Sequence, residues 1–295
     1  MNAPYLAQYQ GSKRNLASLI DRYLPNKFHK LIEPFAGTAA ISIYCALKGK
    51  AYEYIINDLN KPLIDLLRLV VENPESVSNQ YEKIWRDQFT DSIEHYYQIR
   101  EKFNITKDPI LFLYLLARCV KGAVRYNSDG LFNQSPDKRR HGTNPGKMQS
   151  NIYNISSLLK RKTQFFCLDY KSILELAIPG DIVYMDPPYQ GVCGDRDSRY
   201  FSGIDHKEFV EELVKLHEKK ISYIVSYDGK CGDKKYGNEL PRLLNLEHIQ
   251  LNAGRSTQAT LLGKSLVTYE SLYLTKDLLP NKNMKLEAVN AELFT

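Results

Sequence analysis

The chain has 295 residues, 43% apolar and 25% charged, with a net charge of +6, which is the composition of an ordinary globular protein. No stretch approaches the roughly eighteen apolar residues of a membrane helix, and Met1-Asn2-Ala3-Pro4-Tyr5 lacks the basic-then-apolar opening of a secretory signal, so a cytoplasmic protein with no membrane partner is expected. Five cysteines without a C-x-x-C pair and six scattered histidines argue against a disulfide frame or a zinc site, and no metal is expected.

In chain order, Ser12 is a plausible N-cap for a helix over 12–24, whose face is Leu16, Leu19, Ile20, Tyr23 and Leu24 and whose stop is Pro25. Lys30 to Pro34 reads as a short buried strand, Phe35-Ala36-Gly37-Thr38 as a tight turn, and Ala39 to Leu47 as a helix of small residues. A second strand over 51–56 ends at Asn57-Asp58, and a helix follows from Lys61 to Val71. Strand, glycine turn, helix, strand and acid together form the opening of a nucleotide-binding βαβ unit.

The rhythm then changes. Helical stretches are expected over 76–86, 92–104 and 109–120, followed by a hairpin at Ser128-Asp129-Gly130 between Val124-Arg125-Tyr126 and Leu131-Phe132. Gln134 to Ser150, rich in Pro, Gly, Asn and basic residues, reads as a loop. The α/β alternation resumes with strands over 163–167 and 181–185, a helix over 206–219, a strand over 222–226 and a final pair near 246–251 and 267–274.

The expected organisation is a catalytic domain built from residues 1–72 and 163–275, interrupted by an insert over 73–162, with a loosely ordered tail over 276–295. Between Arg118 and Lys162 there are ten Lys/Arg against two Asp, so the chain's positive charge is concentrated in the insert. That is a footprint for a polyanion, because neutralising phosphates releases counterions; a solvated basic loop is the plainer alternative.

The segment with the most chemistry is Asp186-Pro187-Pro188-Tyr189, at the end of the apolar run Ile182-Val183-Tyr184-Met185. The lone pair of an exocyclic amine is delocalised into its ring and makes a poor nucleophile. A carboxylate and a backbone carbonyl that both accept its N–H bonds draw that lone pair towards an electrophile. Two prolines stiffen the turn and contribute no N–H groups of their own, and the Tyr189 ring offers a stacking platform. A rigid surface turn is the plainer reading of the same four residues.

Gly37 removes the Cβ that would block close approach of a ligand. Asp58 is placed to accept ribose hydroxyls, or else to cap the helix near Lys61. Asp169, before Tyr170, could accept a purine amino group or cap the following helix, and Lys13 sits on the glycine turn of Tyr9-Gln10-Gly11-Ser12-Lys13. No G-x-x-x-x-G-K-[ST] is present, so a nucleoside fits better than a nucleotide.

Together these pieces resemble the Dam-like, class α DNA adenine-N6 methyltransferases over about residues 5–275. Tyr9 to Lys13 is similar to the family's W-x-G-x-K element, with Tyr9 in place of Trp. Pro34 to Ala39 is similar to its P-F-x-G-x-G turn, with Ala39 in place of the second Gly, and Asp186 to Tyr189 is its D-P-P-Y. Arg125-Tyr126-Asn127-Ser128-Asp129-Gly130-Leu131-Phe132-Asn133 resembles the R-Y-N-x-x-G-x-F-N hairpin that enters the DNA major groove.

The resemblance implies a Rossmann-like α/β sheet carrying a mostly helical DNA-recognition insert with a β-hairpin. It implies S-adenosylmethionine bound by Tyr9, Lys13, Phe35, Ala36, Gly37, Thr38, Asp58, Asp169, Tyr170 and Asp186, and catalysis by Asp186, Pro187, Pro188 and Tyr189. It implies double-stranded DNA held by Lys121, Arg125, Tyr126, Asn127, Asn133, Lys138, Arg139 and Arg140, with a cognate restriction endonuclease as a further candidate partner. Val120 and Lys121 stand where GATC-specific relatives commonly have an aromatic and Asn, so the target may differ from GATC. An N4-cytosine enzyme, which usually carries Ser in place of Asp186, and a catalytically silent nucleic-acid-binding subunit are the alternatives.

Overall fold

A computed structural model describes residues 3–188, 204–231, 234–236, 239–255 and 267–279. A short helix α1 (Ala17–Ile20), flanked by 3-10 turns, replaces the continuous helix expected over 12–24. Then come β1 (Phe28–Glu33), α2 (Ala40–Lys48), β2 (Ala51–Asn57) and α3 (Lys61–Glu72). The middle of the chain forms α4 (Pro74–Asp87), α5 (Ser92–Thr106), α6 (Pro109–Arg118) and α7 (Pro145–Leu159). The remainder forms β3 (Thr163–Phe166), α8 (Tyr170–Leu174), β4 (Ile182–Met185), α9 (His206–Glu218), β5 (Ser222–Cys231), β6 (Lys234–Tyr236), β7 (Glu247–Arg255) and β8 (Val267–Leu274).

Seven strands run in the order β3-β2-β1-β4-β5-β8-β7, and β6 pairs with β5 off that path. The first five are parallel, while β8 and β7 are antiparallel additions at one side. Alternation along each central strand divides the core. Leu31, Tyr54, Ile56, Ile182, Tyr184 and Ile224 face one layer; Ile32, Ile55, Val183, Met185, Tyr223 and Val225 face the other. Every side chain of β4 is buried, as a parallel strand covered on both faces requires. Each such residue contributes about 1.5–3 kcal/mol through burial.

Order reverses between β1 and β4, because β1 leads to β2 on one side and β4 leads to β5 on the other. The crevice beyond the carboxyl ends of strands at such a reversal is where open α/β sheets bind ligands.

Three further features differ from the sequence reading. Helix α7 begins inside the stretch read as loop: Asn144 caps it by accepting from the Gly146 N–H, and Pro145 occupies its first turn. It packs on α2 and α3 as well as α4, and one apolar core runs from the sheet face into α4–α7. The reversal at 124–133 forms around a single antiparallel bridge, Tyr126 to Phe132, without extended strands. The first residues of the expected loose tail are packed: Lys276–Leu278 form a 3-10 turn, Leu278 is buried, and the Thr275 N–H donates to the Tyr223 carbonyl. Residues 280–295 lie outside the described part.

Candidate active site

Four strands each end in a polar residue at one edge of the sheet: Glu33 after β1, Asn57-Asp58 after β2, Asp169 after β3 and Asp186 after β4. A cavity of about 240 Å³ opens there. Its lining includes Tyr9, Lys13, Phe35 to Thr38, Asp58, Asp169, Tyr170 and Asp186 to Pro188. The structure thus brings together every expected cofactor-binding residue. Tyr189, the fourth residue of the expected catalytic set, lies outside the described residues.

The glycine turn is tied to the sheet through Asp58, which accepts from the Gly37 N–H at 2.9 Å and from the Asn60 N–H at 2.9 Å. Asp58 therefore fixes the turn and does not cap α3. Gly37 has φ of +50°, and the Tyr9 ring lies 3.5 Å from where a Cβ would sit. Ala39, where the family motif has glycine, also holds a left-handed conformation (φ 54°), at about 1–2 kcal/mol for an L-residue. Asn57 staples the strand ends: its amide donates to the carbonyls of Pro34 (2.8 Å) and Leu168 (3.0 Å) and accepts from the Leu168 N–H.

Asp169 accepts from the Lys171 N–H at 2.9 Å and so caps α8. Tyr170 packs beside Phe35, ring centroids 5.2 Å apart, and its buried hydroxyl has no hydrogen-bond partner among the described residues.

Asp186 is engaged from the N-terminal segment. Lys13 Nζ lies 2.9 Å from Asp186 Oδ1 and 2.6 Å from Glu270 Oε1, and both Lys13 and Asp186 are largely buried. Lys13, expected among the cofactor-binding residues, is thus held between two carboxylates of the chain itself. Burial pushes the Asp186 carboxyl up to about 7; the Lys13 ammonium lowers it and the Glu270 charge raises it. Glu33, buried below the turn, accepts from the Ser42 N–H at 2.8 Å and from the Ser42 hydroxyl. Desolvation likewise raises it to about 7, against the Ser42 bonds.

Sequence reasoning assigned no role to Glu33, Asn57 or Glu270. Glu33 carried the same signal as the recognised acids, a carboxylate closing a buried strand. Glu270 lies far along the chain and carried none.

The residues expected to meet DNA divide. Lys121, Arg125, Asn133, Lys138, Arg139 and Arg140 are exposed. Tyr126 is buried, 7% exposed, and its hydroxyl donates to Asn60 Oδ1 at 3.1 Å, so it is a packing residue that joins this loop to the cavity wall. Asn127 spends its Oδ1 on the N–H groups of Asp129 and Leu131, and closes the turn. The concentrated charge is also smaller than counted. Arg118 is fully buried and donates to the carbonyls of Asp137, Arg140 and Ser92. Lys160, Arg161 and Lys162 precede β3, at the sheet edge opposite the cavity. That leaves Lys121, Arg125, Lys138, Arg139, Arg140 and Lys147, with Arg118 anchoring the loop that displays three of them.

Sheet order and the acid-lined crevice together define an α/β enzyme of the methyltransferase fold. Residues 9–253 match the family described as D12 class N6 adenine-specific DNA methyltransferase, and the chain belongs to that family. It is similar to a DNA adenine methylase of Haemophilus influenzae, 29% identical over 76% of this chain and 78% of the relative. It is also similar to a DNA adenine methylase of Serratia marcescens, 31% identical over 62% of this chain and 65% of the relative. A third relative is a DNA N-6-adenine-methyltransferase of Escherichia phage P1, 26% identical over 75% of this chain. The chain spans under two thirds of the Serratia protein and 29% of the phage protein.

Family membership implies S-adenosylmethionine as methyl donor, and the cavity suits it. Acids and aromatic rings, with glycine turns at Gly11 and Gly37, fit a cationic nucleoside and would repel a pyrophosphate. Among the described residues no helix is long and apolar enough to cross a membrane, and no His/Cys/Asp/Glu group could hold a metal ion.

Proposed function

We propose that the protein transfers a methyl group from S-adenosylmethionine to N6 of an adenine flipped out of double-stranded DNA at a specific sequence. The observation that carries this reading is the Asp186 carboxylate. It stands at the end of β4 inside the cavity, on a Pro187-Pro188 turn, with a lysine at hand.

Asp58, Asp169, Tyr170 and the turn at Gly37 would hold the methyl donor, which supplies an electrophilic carbon on a sulfonium. Asp186 and the Pro187 carbonyl accept the two N6–H bonds and turn the amine's lone pair towards that carbon. The new C–N bond forms as the C–S pair stays on sulfur, and one N6 proton is shed afterwards with Asp186 as first acceptor. Orientation and preorganised acceptors supply most of the acceleration. Extruding the base costs a few kcal/mol, offset by contacts in the pocket. Residues 73–162 form the target-reading insert, with Lys138, Arg139 and Arg140 as phosphate contacts that position the duplex.

The test is incubation of unmethylated DNA with labelled S-adenosylmethionine, then base analysis. N6-methyladenine is the expected product; N4-methylcytosine, or no labelled base, overturns the reading. With the site sequence in hand, Arg125→Ala is expected to relax sequence choice by about 1–3 kcal/mol at one position, as loss of a bidentate guanine contact does. An equal loss on every sequence, read by competition binding, would make Arg125 a phosphate contact instead.

A further inference from the structure

We propose that Glu270, on β8, is a positioning residue for methyl transfer: it holds the Lys13 ammonium so that Asp186 is free to accept the incoming amine. The inference rests on the function proposed above and concerns the same site.

The geometry is a lysine between two carboxylates, 2.9 Å from Asp186 Oδ1 and 2.6 Å from Glu270 Oε1. Glu270 is itself fixed, because the Ser226 hydroxyl on the neighbouring strand β5 donates to the same Oε1. Its side chain is 12% exposed and that of Lys13 9%, so neither charge has solvent as a ready alternative partner. If Lys13 had Asp186 alone, an adenine amine arriving at that carboxylate would have to displace a buried ion pair and leave an ammonium unpaired. With Glu270 in place the ammonium keeps a partner, and the Asp186 oxygen can pass from lysine to substrate without that penalty. The Glu270 charge also keeps Asp186 more basic than an isolated Lys13–Asp186 pair would be, since it raises the Asp186 carboxyl while Lys13 lowers it. A more basic carboxylate is the better acceptor for an amine shedding a proton.

The experiment measures single-turnover methylation against pH for the wild type, Glu270→Gln, Lys13→Gln and the double variant, with DNA and cofactor affinities measured separately. Glu270→Gln is expected to slow the step on the order of tenfold, with both affinities within about twofold of wild type, so that the loss falls on the chemical step and not on binding. The acid limb of its profile is expected to move to lower pH, because a charge that favours protonated Asp186 is gone. The double variant is expected to be no slower than Lys13→Gln alone, because Glu270 acts through the lysine.

An unmoved acid limb, or losses that multiply in the double variant, overturns the proposal. Should Glu270→Gln fail to fold, Glu270→Asp, which keeps the charge, must retain the wild-type acid limb; a shift there overturns the proposal equally. If the wild-type protein methylates no adenine, the underlying function fails; if it does and the Glu270 variants match it, this inference alone falls.

Discussion

Asp186→Asn should reduce methyl transfer by at least about a thousandfold while leaving S-adenosylmethionine binding nearly intact, in the range seen when preorganised acid–base and electrostatic groups are removed. The asparagine keeps the shape of the turn after β4 but replaces a carboxylate oxygen with an NH2, which donates towards the very amine whose N–H bonds must be accepted. Lys13 retains Glu270 at 2.6 Å, so the substitution does not strand a buried ammonium. Radiolabel transfer in a single turnover and calorimetry with the cofactor separate the two effects.

The same variant has a stability signature of definite sign. Burial raises the Asp186 carboxyl in the folded protein from its ordinary value of 3.8 to about 7. The unfolded chain therefore loses that proton at lower pH than the folded one, and wild-type stability falls as pH rises from about 4 to about 7. Asparagine has no such dependence. The unfolding midpoint of Asp186→Asn, relative to wild type, should climb across that window and level off above it. A difference that stays flat from pH 4 to 8 would place the carboxylate in a better-solvated setting than the structure gives it. The group that makes the site reactive is, on this account, one the fold would be more stable without.

How far the sequence disclosed all this depends on the range of the interactions concerned. Strands ending in Asp58, Asp169 and Asp186 were visible because a parallel sheet buries an apolar run and then delivers the next residue to its edge, a pattern contained in six or seven consecutive positions. Helix α7 was missed although Met148, Ile152, Ile155 and Leu159 lie at helical spacing and are fully buried. Its first turn, Asn144-Pro145-Gly146, is rich in residues that also build loops, and an N-cap with proline behind it reads equally as a turn. The motif that contains Tyr126 and Asn127 presents both as DNA contacts. Their burial and turn bonds depend on Asn60 and on local closure, which no short window reports. Glu270 lies furthest from inference: its partner is 257 positions away in the sequence and meets it only because β8 is laid antiparallel beside β5.

Gly122→Ala should unfold or disable the protein although Gly122 does not line the cavity. Gly122 has φ of +59°, and a Cβ built there would lie 2.1 Å from the Gln8 carbonyl oxygen and 2.4 Å from its carbon. Both are backbone atoms and cannot swing aside. The contact is held in place, because the Gln10 N–H donates to the Gly122 carbonyl at 3.0 Å. Through this crossing the segment bearing Tyr9 and Lys13 is clamped between the insert and the glycine turn at Gly37, where the Tyr9 ring rests. An alanine must push residues 8–10 outward by an ångström or more, and Lys13, three residues on, is drawn away from Asp186 and Glu270. Misplacement on that scale costs about a hundredfold in rate, and overpacking against fixed neighbours adds about 1–3 kcal/mol of destabilisation. Gly180→Ala provides the comparison: its φ is +96° but nothing lies within 4 Å of the new methyl, so it carries backbone strain without a clash. Thermal unfolding should show Gly122→Ala well below Gly180→Ala, and methylation should be lost in the first and kept in the second. Equal midpoints with equal activities would mean that the N-terminal segment is not clamped at Gly122, and that Lys13 reaches Asp186 by some other support.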